Sequence, residues 1–288
     1  MRNLILLAVL VSALAPAARA QTDTAVDVTR GVRLQLNNFG GSITVHTWAR
    51  SAVRVQADHS ERDRIEFDLS SSTLTIRGGS RRMAPRSFDL ELTVPVWMAL
   101  ELSGVSTDIT VEGTQGEVSA ESVEGAVSIR GGTGFVSATS VEGDVTIEDA
   151  QGRIEANTVD GQIHITNATG EIYAETVDGD VLLERIESVN VEAQTVDGSL
   201  DYQGAIKDGG RYRFASHSGD VTLRIPDRVS ATVSVSTFSG EFESDFPVQL
   251  TGTKKRRFTF TLGGGSAHVE LESFDGTTAL RRAGGHTN

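Results

Sequence analysis

Five carboxylates stand out because they recur at one place in a repeating phrase: Glu124, Glu142, Asp160, Asp178 and Asp197. Each lies just before a glycine in a Ser/Thr-Val-Asp/Glu-Gly phrase, at Gly125, Gly143, Gly161, Gly179 and Gly198. If successive phrases stack as strands about 4.8 Å apart, these side chains form one column. Like charges so placed repel by roughly 1 kcal/mol per pair or less in water, and a hard cation such as calcium would relieve that. Calcium takes six to eight oxygens, however, and one carboxylate per turn supplies few of them. The sequence also lacks the Gly-Gly-x-Gly-x-Asp pattern of calcium-binding β-rolls. A solvated acidic edge is the simpler expectation, with no metal and no cofactor.

Other chemistry is sparse. His46, His59, His164, His217, His268 and His286 fall at no metal-ligand spacing, and the chain has no cysteine, which removes thiol chemistry. There is no Gly-x-Ser-x-Gly elbow and no phosphate-binding loop, so the glycines read as turn punctuation. Asp and Glu are plentiful, which keeps a polysaccharide-active β-helix enzyme as the alternative. Enzyme sites of that kind interrupt a repeat, whereas the acidic phrases here are its most uniform part. Aromatics are only 6% of the chain, too few for an evident sugar-stacking groove. The cluster Lys254-Lys-Arg-Arg257 reads as a solvated loop entering a strand at Phe258.

The elements that must position the carboxylates follow from the repeat. Glycines fall at 116, 125, 134, 143, 152, 161, 170 and 179, every ninth residue. Two phrases alternate between them. One is Gly152-Arg-Ile-Glu-Ala-Asn-Thr-Val-Asp160; the other opens Gly161-Gln-Ile-His-Ile165. The full unit is thus eighteen residues, with two strands and two turns. Apolar and polar residues alternate within each phrase, the period of a half-buried strand. Ile147, Ile163 and Val181 are expected inside. Gly143 and Gly161 are expected to turn the chain with positive φ.

A hairpin meander and a stacked coil both fit two strands per unit. The coil is favoured because phrases one unit apart match residue for residue. Ala120, Ala138, Ala156, Ala174 and Ala193 would form a small ladder, and Ile129, Ile147, Ile165 and Leu183 a large one facing it. Later intervals of 19, 21, 21 and 36 residues place insertions between strands, and the longest is expected to hide an irregular coil around residues 258–262.

The remaining chain divides simply. Residues 1–20 read as a signal peptide: Arg2, an apolar run too short to span a bilayer, and Ala18-Arg19-Ala20 before Gln21. No cysteine follows the cut, which argues against a lipid anchor, and no later segment resembles a transmembrane span. Residues 21–103 alternate less regularly and read as a β-strand cap over the first coil edge. Residues 104–280 carry the solenoid repeats, and residues 281–288 a disordered tail. The formal charge of −13 becomes −15 once Arg2 and Arg19 are removed, which argues against nucleic acid.

Leu34-Gln-Leu-Asn-Asn-Phe-Gly-Gly-Ser-Ile-Thr-Val45, Leu92-Thr-Val-Pro95 and the Ser/Thr-Val-Asp/Glu-Gly series together resemble the bacterial putative-adhesin family of β-strand-repeat proteins, known mainly as a domain of unknown function. The resemblance spans nearly all of residues 21–288. It implies an all-β fold, a right-handed parallel β-solenoid with 18-residue coils, in the periplasm or at the cell surface. It brings no catalytic residues. The expected role is a non-catalytic adhesin-like or scaffolding surface, with an envelope protein or glycan as partner.

Overall fold

The structure, a computed structural model, describes residues 19–60, 63–80, 87–248, 251–254 and 257–284. These residues form β-strands joined by short turns, and no helix occurs among them. The alternation read from the sequence is the alternation of burial. In Val145–Glu148, Val145 and Ile147 are buried while Thr146 and Glu148 reach solvent. Ile163 and Val181 are buried as well.

Strands one repeat apart pair in parallel, which settles the choice between meander and coil. In one ladder Ala120, Ala138, Ala156, Ala174 and Ala193 are successive partners. In the other, Ile129 pairs with Ile147, Ile147 with Ile165, Ile165 with Leu183, and Leu183 with Tyr202. All of these side chains are buried. Each strand therefore lays its inward row on an equivalent row above and below, and apolar surface is removed from water along a continuous core.

The ladders do not follow chain order at their ends. Leu100–Thr114 pairs on one side with the repeats and on the other with Arg33–Trp48, through Leu34 with Leu100 and Ile43 with Ile109. Arg33–Trp48 pairs in turn with Thr73–Ser80 and Ser87–Pro95. An early segment is thus inserted beneath a later one. The far end does the same in mirror fashion. Ala267–Asp275 lies between Arg211–Ser218 and Ala231–Thr237, with Leu271 paired to both Phe214 and Val235.

Antiparallel strands lie outermost at both ends, except where Phe242–Ser244 pairs in parallel with Thr278–Arg282. Asp63–Leu69 runs against Thr73–Ser80, and Ala52–Ser60 against Ser87–Pro95 and Arg19–Asp27. Arg257–Leu262 runs antiparallel to Ala231–Thr237. The coil expected around residues 258–262 is therefore a covering strand, with its Phe260 buried. Hairpins laid across open ends occupy backbone groups that would otherwise template further strands.

The core changes character where insertions interrupt the repeat. Ala193 is followed in its ladder by Phe214, and Leu183 by Tyr202. Tyr202 packs on Phe214 with ring centroids 4.9 Å apart. The buried hydroxyls take up the irregular backbone: Tyr202 donates to the Ala205 carbonyl at 2.8 Å, and Tyr212 donates to Ser188 at 2.7 Å while accepting from the Lys207 amide at 2.8 Å. Burial pushes both phenols above their ordinary pKa, Tyr202 the further.

Candidate functional site: an acidic turn edge and a polar groove

The turn phrase is built by two features, one of which the sequence reading assigned to the wrong cause. Gly143 and Gly161 do not have positive φ. They are glycines because equivalent turns stack backbone on backbone. A Cβ on Gly161 would lie 2.4 Å from the Gly143 carbonyl oxygen, and one on Gly143 2.3 Å from that of Gly125. The other glycine column does need the left-handed region: Gly134, Gly152 and Gly170 have φ of 85°, 114° and 120°.

The second feature is a column of buried hydroxyls. Ser140 donates to the Gly125 carbonyl at 2.8 Å, Thr158 to Gly143 at 2.9 Å, Thr176 to Gly161 at 3.0 Å and Thr195 to Gly179 at 2.9 Å. The Ser/Thr of the motif thus satisfies a carbonyl that the tight turn removes from the strand ladder. Its fixed distance from the glycine was legible; its partner, one coil away, was not.

This backbone places the five predicted carboxylates in equivalent turns. The amides of Glu142, Asp160 and Asp178 donate to Val123, Val141 and Val159, each at 2.8 Å; those of Glu124 and Asp197 donate to Val105 and Val177 at 2.7 Å. Asp160 and Asp178, and Asp178 and Asp197, are parallel bridge partners. All five side chains are exposed. Ser106 donates to Glu124 at 2.5 Å. Among the described residues, no group of three or more His, Asp or Glu is arranged to hold a metal.

A groove of about 650 Å³ opens on the outward face of the alanine ladder. Two rows of side chains cross it. Arg153, Glu171, Asn190, Arg211 and His268 are successive partners in one; Tyr173, Glu192, Arg213 and Glu270 in the other. Arg213 is the centre of charge, 3.1 Å from Glu192, 3.8 Å from Glu270 and 3.9 Å from Glu272. Tyr173 donates to Glu175, and that bond, with burial, pushes its hydroxyl up to about 12. It stays a neutral donor and acceptor at physiological pH. The sequence reading missed this groove, because its residues come from coils eighteen to fifty-seven positions apart in register.

The other residues of interest contribute locally. His164 contacts Thr166 at 2.9 Å and Glu184 at 3.3 Å, and His46 lies 3.1 Å from Glu112. His286, Lys255 and Arg256 lie outside the described residues, as does the signal segment up to residue 18; Arg19 and Ala20 open the strand Arg19–Asp27.

No curated protein matches the chain. Among solved structures it is similar to a putative adhesin from Parabacteroides merdae, at 9% identity over 92% of this chain and 97% of that one, with a TM-score of 0.49. A putative adhesin from Bacteroides fragilis matches at 11% identity over 92% and 98%, with a TM-score of 0.45. The family model described as Toastrack DUF4097 matches residues 32–281, and the chain belongs to that family.

Proposed function

We propose that this protein is a non-catalytic, adhesin-like binding module of the bacterial cell envelope, exported by its N-terminal segment, with the polar groove as its contact surface for an envelope protein or glycan. The groove carries the reading: two rows of Arg, Glu, Tyr, Asn and His side chains aligned across a rigid parallel ladder. Such rows offer hydrogen bonds at fixed spacing to a polar ligand. We take the coil as eighteen residues in its regular part and right-handed, the hand that parallel strands with crossovers adopt in nearly all cases. Residues 21–103 and 104–280 then act as cap and repeat region of one rod. No helix among the described residues is long and apolar enough to cross a membrane.

The groove carboxylates speak for binding over hydrolysis. Of the carboxylates that line the groove, Glu192 and Glu270 lie within 4 Å of the Arg213 guanidinium and Glu171 accepts from the Asn190 amide at 3.5 Å, so each is tied into the polar rows. The test is binding of the purified protein to cell-wall polysaccharide and to solubilised envelope proteins from the producing bacterium. Arg213→Glu and Tyr173→Ala should each weaken the interaction about tenfold without lowering Tm by more than a few degrees. Binding unaffected by both variants would remove the groove from the function. Release of reducing ends from the polysaccharide, lost in Glu192→Gln, would replace the binding module with an enzyme.

A further inference from the structure

The turn edge carries an apolar stripe that folding does not require. Val123, Val141, Val159, Val177 and Val196 each precede a ladder carboxylate, and Val105 is their equivalent one coil earlier; these six are 38–47% exposed. Their amides and carbonyls serve the turn, but their side chains point away from the core. Beyond Val196 the column continues in rings. His217 stacks on Phe274 at 4.7 Å, and Phe274 on Phe238 at 4.6 Å, with Phe274 and Phe238 themselves exposed. At the other end Phe39 occupies the same position in its coil and is exposed too. Contiguous exposed apolar surface on a soluble domain marks an interaction site more often than an isolated exposed side chain does.

The surroundings of the stripe choose its partner. The turns that carry the valines, residues 103–108, 121–126, 139–144, 157–162, 175–180 and 194–199, contain no Lys and no Arg. The carboxylate column lies immediately beside the valines on one side; Glu121 and Glu175 lie two residues before them on the other. The cations sit elsewhere: Arg130, Arg185 and Lys207 belong to the opposite turns, where they pair with Asp149, Glu184 and Glu187. A second copy laid stripe to stripe would bring two acidic borders together. A partner with an apolar face bordered by Lys or Arg would meet them with opposite charge.

Spacing narrows the partner further. Rungs of the stripe are about 4.8 Å apart. An extended strand repeats its same-side residues every 6.6–6.8 Å, roughly, and falls out of step at once. An α-helix returns an apolar side chain every turn, about 5.4 Å, a mismatch of about 0.6 Å per rung, so a helix centred on the stripe keeps each contact within roughly 1.2 Å of its rung over four turns. We infer that this edge is a docking surface for a basic amphipathic helix, its apolar side chains on the valine column and its cations on the carboxylates. The surface is separate from the polar groove and does not depend on it.

The test uses an 18-residue helical peptide of Leu and Lys with Leu on one face, about 27 Å long, titrated into the full chain by calorimetry and by fluorescence anisotropy. The parent should bind it at least tenfold more tightly than a scrambled peptide of the same composition, with affinity falling as salt rises. The triple variant Val141→Ser/Val159→Ser/Val177→Ser should lose about tenfold, as should Glu142→Gln/Asp160→Asn/Asp178→Asn. If the serine variant folds poorly, Val→Thr at the same positions keeps the β-branched shape and should show the same loss. Arg213→Glu should bind the peptide like the parent, which separates this outcome from failure of the groove. Equal binding of ordered and scrambled peptides, or unchanged binding by the threonine variant, would overturn the inference. So would concentration-dependent dimerisation of the parent that the threonine variant abolishes, since the stripe would then cover a second copy.

Discussion

The Thr158 hydroxyl donates a 2.9 Å hydrogen bond to the carbonyl of Gly143, fifteen residues earlier and one coil away. Thr158 is buried and the bond itself is part-buried. Thr158→Val keeps the shape and deletes the donor, leaving a carbonyl unsatisfied at a cost of about 1–3 kcal/mol. Thr158→Ser keeps the donor and should cost less than half as much. Urea denaturation of the two variants measures the difference; equal losses would mean that the methyl group matters and the hydrogen bond does not.

Backbone stacking makes a different demand on the adjacent glycine. Gly161→Ala pushes a Cβ against the Gly143 carbonyl, and neither backbone can yield without moving its neighbours. A loss of about 3 kcal/mol is expected, the upper end for overpacking. Gly31 is the control: its φ is +93°, and a methyl group there would meet no atom within 4 Å. Gly31→Ala should cost only the left-handed penalty, about 1 kcal/mol. Equal costs in thermal unfolding would show that contact with the Gly143 carbonyl does not select glycine at position 161.

Ile163 lies fully buried between Val145 and Val181 in its ladder. Ile163→Asp places an unpaired charge in that core and should cost more than about 4 kcal/mol. Circular dichroism should show a large fall in Tm. Ile163→Val should cost about 1 kcal/mol. An aspartate variant melting within two degrees of the parent would contradict the inward assignment.

Asp149 supplies a pH dependence with a defined sign. The Asn167 amide donates to its carboxylate at 2.5 Å and Arg130 lies 3.2 Å away; these hold the carboxyl below its ordinary value, the Asn167 bond first. A carboxyl depressed in the folded state adds stability that is present above its unfolded pKa, about 3.9, and is lost as pH falls through the lower folded value. Asp149→Asn tolerates the left-handed backbone there, φ 57°. Its Tm deficit relative to the parent should therefore be largest near neutrality and vanish as pH falls below the depressed folded value. Water screens this exposed site, so the deficit should be small and should shrink in salt. A deficit that holds constant from acid to neutral pH would sink the assignment.

The carboxylate column separates a solvated edge from a cation site. Asp160→Asn with Asp178→Asn should leave Tm unchanged or slightly raised, more visibly at low ionic strength. Millimolar calcium should not alter that comparison. A calcium-dependent rise of several degrees in the parent, absent from the double variant, would make the column a metal site.

The repeat alone determined much of this protein. Alternation assigned Ile147, Ile163 and Val181 to the core, and the identity of phrases eighteen residues apart predicted parallel stacking of Ala138 on Ala156. Those inferences hold because side-chain direction in a strand has period two and each coil repeats its neighbour's surroundings. The same logic put Glu142, Asp160 and Asp178 in equivalent turns. Tertiary structure decided whatever depends on contacts between coils. Whether Gly161 is glycine for its φ or for the carbonyl beneath it cannot be read from spacing, because both causes recur at the same interval. The inserted coils at both ends break the link between chain order and spatial order, so the strand at residues 257–262 looked like another turn of the stack. The groove around Arg213 joins outward residues whose types differ from coil to coil, and only the register of the folded ladders brings them together.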